Sequence, residues 1–219
     1  VFLTAVGLLT WVFPDTSVLA YGYADMDTLF SLGPYVFIFL IPAITMKSFA
    51  EEKKTGTMEL LLTKPLRDWD IIVGKYLAAL LLVVIALLPT LLYYVTIYQL
   101  GNPPGNLDTP GIAGSYLGMV LLGGVFCAIG IFASSITVNQ IIAFIIGAFI
   151  SFLVFSGFDA AATLQGWSDY ALAIRQLGLL YHYEALSKGL IDSRDVIYFL
   201  SVIVLMLSIT KIIIGSRQW

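Results

Sequence analysis

The sequence predicts an all-α membrane protein with six transmembrane helices, the first of them truncated at its N-terminus. Three observations lead there. Hydrophobic residues make up 59% of the 219 positions and charged ones only 11%, against roughly 45–50% and about 25% in a soluble domain. The charges are gathered into short segments, so long uncharged runs separate them. Those runs are apolar on all sides rather than alternating with period two, which disfavours a β-barrel and leaves helices as the way to satisfy the backbone in lipid.

Each element follows from an uncharged run. The spans are read as residues 29–46, 76–100, 115–135, 141–158 and 196–214, with an apolar remnant at 1–13. About 20 residues cross a hydrocarbon core. The remnant is shorter, so it is expected to be the outer end of a first helix that starts upstream. Pro34, Pro42 and Pro89 fall within or beside spans as expected kinks, tolerated where neighbours re-satisfy the freed carbonyls. Everything from 1 to 219 then forms a single transmembrane domain, with a charged segment at 47–75 and a mixed apolar and aromatic segment at 159–195. The latter, containing "YALAIRQLGLLYHYEAL", reads as short helices dipping into the outer leaflet. His182 within it reads as a packing residue, and Arg194 as forming a salt-bridged corner with Asp192 and Asp195.

Alternating connectors put Lys47, Lys53, Lys54, Lys64, Arg67, Lys75, Lys211 and Arg217 on one side, which is eight of the eleven Lys and Arg. The positive-inside rule makes that side cytoplasmic, together with both termini. Trp11, Tyr21, Tyr23, Tyr98, Trp167, Tyr170, Tyr181 and Tyr183 crowd the other ends of the spans, where an aromatic belt is expected.

Several chemistries are excluded by what is missing. None of the five long runs contains Asp, Glu, Lys, Arg or His when the last is counted from 196 to 210, ahead of Lys211; these are the groups on which proton relays and voltage sensors depend. Cys127 and His182 are the sole cysteine and histidine, too few ligands for a zinc, haem or iron–sulfur site. There is no GxxxxGK[ST] loop to cradle a nucleotide. Serines 134, 135, 151 and 156 have no base beside them in the runs, which argues against an intramembrane enzyme. A protein that moves anything with such spans takes its energy from another polypeptide.

The charged segment is where that polypeptide would act. Residues 48–54 continue the preceding span as helix, with Glu51 and Lys54 at i, i+3. Gly56 interrupts, Thr57 can cap a new turn, and "MELLL" follows until Pro65. Met58, Leu61 and Leu62 share a face, while Glu52, Gly56, Glu59 and Thr63 form a second stripe if the helix runs nearly unbroken. Asp68 can cap the helix that re-enters the membrane. Two readings stay open: an amphipathic helix lying on headgroups, and a docking knob for a partner protein.

At these residues the sequence resembles the ABC-2 type permeases. The string beginning at Phe49, "FAEEKKTGTMELLLTKPLRDWDIIVGKYLA", carries the pattern: an acidic-basic helix end, a Gly-Thr-x-Glu-Leu-Leu turn, a Pro, then Gly-Lys opening the next span. With "GNPPGNLDTPG", "GSYLG", "FASSITVNQIIAF" and "SKGLIDSRDVIYFLS", the chain is most similar to the gliding-motility ABC permease family, GldF. The resemblance implies a six-helix, non-catalytic subunit of an exporter-like complex in the bacterial inner membrane. It implies a homodimer or heterodimer of permeases and a separate ABC ATPase that binds ATP and Mg. No cofactor or nucleic acid is implied for this chain. Carried onto this sequence, Glu51, Glu52, Lys53, Gly56, Thr57, Met58, Glu59, Leu61 and Leu62 are the implied ATPase-coupling residues, and the turn "SSITVNQ" is a lesser contact. An alternative keeps this architecture but passes ATP-driven force to an outer motility or maturation partner without a small substrate.

Overall fold

The computed structural model describes residues 1–13, 15–21, 25–58, 67–103, 105, 107–164 and 170–216. Among the described residues the chain is helical and has no strand. A short apolar helix α1 (Phe2–Trp11) and a single turn α2 (Val18–Tyr21) precede α3 (Asp27–Thr45). Then come α4 (Ala50–Thr55), α5 (Asp68–Leu87), α6 (Leu91–Leu100), α7 (Thr109–Ile136) and α8 (Gln140–Phe152). Three short helices follow, α9 (Phe158–Ala162), α10 (Ala171–Arg175) and α11 (Leu179–Ser187), before α12 (Ser193–Gly215).

Five helical stretches are long and apolar enough to cross a membrane: Asp27–Thr55, Asp68–Leu100, Thr109–Ile136, Gln140–Ala162 and Ser193–Gly215. They coincide with the five uncharged runs, each extended at its ends into polar residues that a hydropathy count leaves out. The ten residues of α1 cover about 15 Å at 1.5 Å per residue, half the hydrocarbon thickness, and α1 lies against α3.

The bundle is built around α7. Within the most apolar window of that helix 78% of the residues are buried by protein, compared with 50% or less for the other spans, and α3, α5, α8, α11 and α12 all pack on it. Its sequence explains this position. Gly111, Gly114, Gly118, Gly123, Gly124 and Gly130 are all buried, and small residues let helix backbones approach closely where lipid offers no hydrophobic driving force. A methyl group on Gly123 would sit 2.8 Å from Val83 Cγ1, and one on Gly114 would sit 2.9 Å from the Gly189 Cα.

The expected proline effects take distinct forms. Pro89 converts the run at 76–100 into two helices joined by a 3-10 turn at Leu88–Thr90. There the Thr90 hydroxyl lies 2.6 Å from the Leu87 carbonyl and 2.9 Å from the Tyr116 hydroxyl, so polar groups exposed by the break find partners. Pro34 and Pro42 are buried within α3 without ending it. In the span that starts at Gln140 the backbone widens into a π turn at Leu153–Gly157.

The two ends of the bundle differ in chemistry. One gathers residues 46–58, Trp69, Lys75, Ser134, Ser135 and Lys211, with the Lys211 ammonium 5.4 Å from the Trp69 ring centroid. At the other end Asp108 caps α7 by accepting from Gly111 N at 3.2 Å, Ser115 Oγ donates to Ser187 O at 2.8 Å, and Tyr183 OH donates to Phe30 O at 2.6 Å. Tyr183 is therefore buried and structural, not part of an interfacial belt. Tyr23 and Trp167 lie outside the described residues.

Among the described residues of 159–195 the chain forms short helices, and the His182 ring stacks on Tyr198 at 4.0 Å. The salt-bridged corner expected around Arg194 takes a different form. Asp195 is 2.7 Å from His182 Nδ1, and Asp192 caps α12 by accepting from Arg194 N at 2.9 Å. Among the described residues no ion pair joins Arg194 to either carboxylate. The helix cap needs a side-chain oxygen two residues upstream, and Asp192 supplies it.

Candidate functional site

The site is the stretch from Met46 to Met58 and the helix ends around it. Three consecutive constraints shape it. After α3 stops at Thr45, residues 46–49 turn the chain, and α4 starts at Ala50 with Phe49 as its N-cap. Phe49 carries no side-chain oxygen to satisfy the first amides. That work is done from α7: Ser134 Oγ accepts from Phe49 N at 2.8 Å and from Ala50 N at 3.0 Å, and donates to Met46 O at 3.2 Å. Phe49, Ala50 and Ser134 are all fully buried.

A second tether comes from α5. Lys75 Nζ donates to Ser48 O at 2.6 Å and to Glu52 Oε1 at 2.5 Å, and lies 4.9 Å from the Phe49 ring centroid. The third runs from α4 to the end of α7, where Lys53 Nζ donates to the Ser135 carbonyl. That carbonyl is among the last of α7, where helical partners run out and a cation is favourable. Glu52 thus pairs with Lys75, 23 residues away, and the i, i+3 pairing expected of Glu51 and Lys54 is absent from the ion pairs among the described residues.

The C-terminal end of α4 is set by Gly56, whose φ of 72° is in the left-handed region that glycine adopts at little cost. The helix ends there, so no unbroken stripe runs from Glu52 through Gly56. A Cβ at Gly56 would meet nothing within 4 Å. Downstream, α5 is capped from Asp70 rather than Asp68: Asp70 Oδ2 accepts from Arg67 N at 3.1 Å. Asp68 becomes the first helical residue instead, since a carboxylate three positions past the cap reaches back to its free amide.

These contacts divide the predicted coupling residues into two sets. Glu52 and Lys53 turn inward as tethers, and half-buried Met58 packs against the core. Glu51, Gly56 and Thr57 are exposed, with Lys54 and Thr55 beside them. Glu59, Leu61 and Leu62 lie outside the described residues. Ser134, Ser135 and Lys75 are the residues that the sequence pattern does not assign to the site in these roles. For Lys75 the signal is the Gly-Lys pair that opens the re-entering span, through which the resemblance implies that the ATPase stroke passes; for Ser134 and Ser135 it is position, since "SSITVNQ" falls at the same end of the bundle as 47–75.

The arrangement holds no group of three or more His, Cys, Asp or Glu residues placed for a metal, among the described residues. Ser134, Lys75, Glu52 and Lys53 are engaged in holding α4, and its exposed face carries Glu51, Lys54, two threonines and a glycine. Such a site can transmit contact, and among its described residues no nucleophile is paired with a base.

The family model described as ABC-2 family transporter protein matches residues 15–214, nearly the whole chain. The chain belongs to the ABC-2 family of transporter proteins. Membership makes it a multi-pass membrane protein, a permease subunit of an ABC transporter, and implies an ABC ATPase as a separate partner. No curated protein matches the chain.

Proposed function

We propose that this chain is the membrane subunit of an exporter-like ABC-2 transporter, and that residues 49–62 are the coupling element on which its ATPase seats. The observation that carries the reading is the two-sided character of the segment. Its inner side is fixed to α3, α5 and α7 through Ser134, Lys75 and Lys53, while Glu51, Gly56 and Thr57 face outward. A lone amphipathic helix on headgroups would present its apolar residues to lipid. Among the described residues of the segment, Phe49 and Ala50 are buried in protein, and the exposed ones, Glu51 and Lys54 to Thr57, carry no large apolar side chain.

The basic end of the bundle is then cytoplasmic, in keeping with the positive-inside rule. ATP and Mg are bound by the partner, and closure of the paired ATPases moves the segment as a rigid body against the spans. Two permeases pair in the complex. The likeness of "GNPPGNLDTPG" and "SKGLIDSRDVIYFLS" to gliding-motility permeases supports a role in that machinery, in a bacterial inner membrane.

Replacing Gly56 by Trp tests the seat. The new ring points into open space, and the left-handed backbone costs roughly 1 kcal/mol with a side chain present, so the bundle remains folded. Co-purification of the ATPase is expected to fall by at least about tenfold, the effect of losing 1.4 kcal/mol at an interface. Undiminished co-purification would overturn the reading.

A further inference from the structure

A single oxygen joins three helices at the coupling end. Ser134 Oγ takes hydrogen bonds from Phe49 N and Ala50 N and gives its own to Met46 O. A hydroxyl has one donor and two acceptor sites, so this one is filled. The groups it binds are the last turn of α3 and the first amides of α4, which lie 84 to 88 residues away in sequence. The helix it stands on is α7, the one around which the other spans pack. Beside it the Lys53 ammonium holds the Ser135 carbonyl. Four residues back, Gly130 brings α7 against Thr45 so closely that even a methyl group would collide with the Thr45 hydroxyl.

We propose that Ser134 is a positioning residue that makes α4 and α7 move as one piece, so that displacement of the coupling segment reaches the far end of α7. The inference rests on the reading of 49–62 as the ATPase seat and adds the path by which the stroke leaves it. No residue on α4 itself makes that connection as firmly. Glu52 and its partner Lys75 tie α4 to α5, and Lys53 ends on a long flexible side chain. Ser134 has the shortest arm and is fully buried, so relative sliding of the two helices cannot be absorbed by a rotamer change and must break its hydrogen bonds.

Hydrogen exchange read by mass spectrometry on the purified permease, and on its complex with the ATPase, tests both halves of the proposal. In the permease alone, Ser134→Ala leaves the Phe49 and Ala50 amides without an acceptor, and exchange in the peptide covering 47–55 is expected to rise about tenfold. Ser134→Thr, which keeps the hydroxyl, restores protection. In the wild-type complex, trapping with ATP, Mg2+ and vanadate changes exchange both in 47–55 and in 109–119 at the opposite end of α7. In the Ser134→Ala complex the ATPase still co-purifies and the change at 47–55 remains, while the change at 109–119 is lost. Ser134→Cys, close in volume and a poor acceptor, is read the same way if Ser134→Ala does not fold.

An undiminished response at 109–119 in the variant overturns the linkage. Loss of the ATPase from the variant also overturns it, because Ser134 would then be shaping the seat rather than connecting it. A wild-type preparation without ATPase, or without any response at 47–55, overturns the reading of the seat and this proposal with it. The exchange of the permease alone separates that case from a failure of the clamp itself.

Discussion

Lys75→Met is expected to destabilise the membrane domain by about 2–4 kcal/mol, because it removes one member of a largely buried ion pair and leaves the other behind. Lys75 makes three contacts at once: the Ser48 carbonyl at 2.6 Å, Glu52 Oε1 at 2.5 Å and the face of Phe49 at 4.9 Å. Both charged side chains are 22% exposed, well short of the exposure at which water screens a pair to near zero. The Met side chain keeps the apolar stem but leaves Glu52 uncompensated, and Glu52 Oε2 is already buried without a hydrogen-bond partner. Glu52→Gln is expected to cost less, since its amide oxygen still accepts from Lys75. The double variant should be more stable than the sum of the single losses predicts, with a coupling of about 1 kcal/mol or more. Denaturant or thermal unfolding in detergent reads these differences. A change within about 0.5 kcal/mol for Lys75→Met, the usual range for an unimportant surface site, would contradict the account of the tether.

The second large effect is expected at Gly130. A Cβ there would collide with Thr45 Oγ1 and lie 3.0 Å from Thr45 Cβ. Thr45 cannot swing aside without breaking its own hydrogen bond to Ile41 O at 2.9 Å, and it is fully buried. Gly130→Val should therefore push α3 from α7 and cost about 2–3 kcal/mol, the usual penalty of overpacking a filled core. Thr45→Ala in the same chain removes the colliding atoms and should recover much of the loss. If Gly130→Val alone unfolds at the wild-type denaturant concentration, the close approach of these two helices is wrong.

The spans were legible because charge is excluded from lipid. Every long uncharged run became a crossing-length helix, and the errors fall at the ends, where Asp27, Asp68 and Thr109 extend the helices into polar sequence. The break at Gly56 was legible for a local reason, the conformational freedom of glycine. What escaped the sequence is tertiary. Nothing near Ser134 indicates that its hydroxyl will cap a helix about 85 residues away, because a serine in an apolar run more often bonds to its own helix, as Ser115 does in part with Gly111. Asp195 was assigned to the neighbouring cation in sequence, Arg194, yet its partner in space is the His182 ring on another helix. Pairings within four residues can be guessed from helical spacing, whereas pairings across the bundle require the packing first.

Within the predicted coupling set the same distinction applies. Glu51, Gly56 and Thr57, which the resemblance implies as coupling residues together with Glu52 and Lys53, are exposed. Glu52 and Lys53 look equivalent to Glu51 and Lys54 in sequence, and only the approach of α5 and α7 turns them inward.

The central claim is that the outward face of this segment touches an ATPase in the intact assembly. A photo-activated cross-linker placed at Thr57 in cells, with a second at Thr109 at the opposite end of the bundle as the comparison, tests it most directly. The account predicts that Thr57 captures a nucleotide-hydrolysing subunit and that Thr109 does not. Capture of lipid alone at Thr57, or of the same ATPase at Thr109, would contradict it.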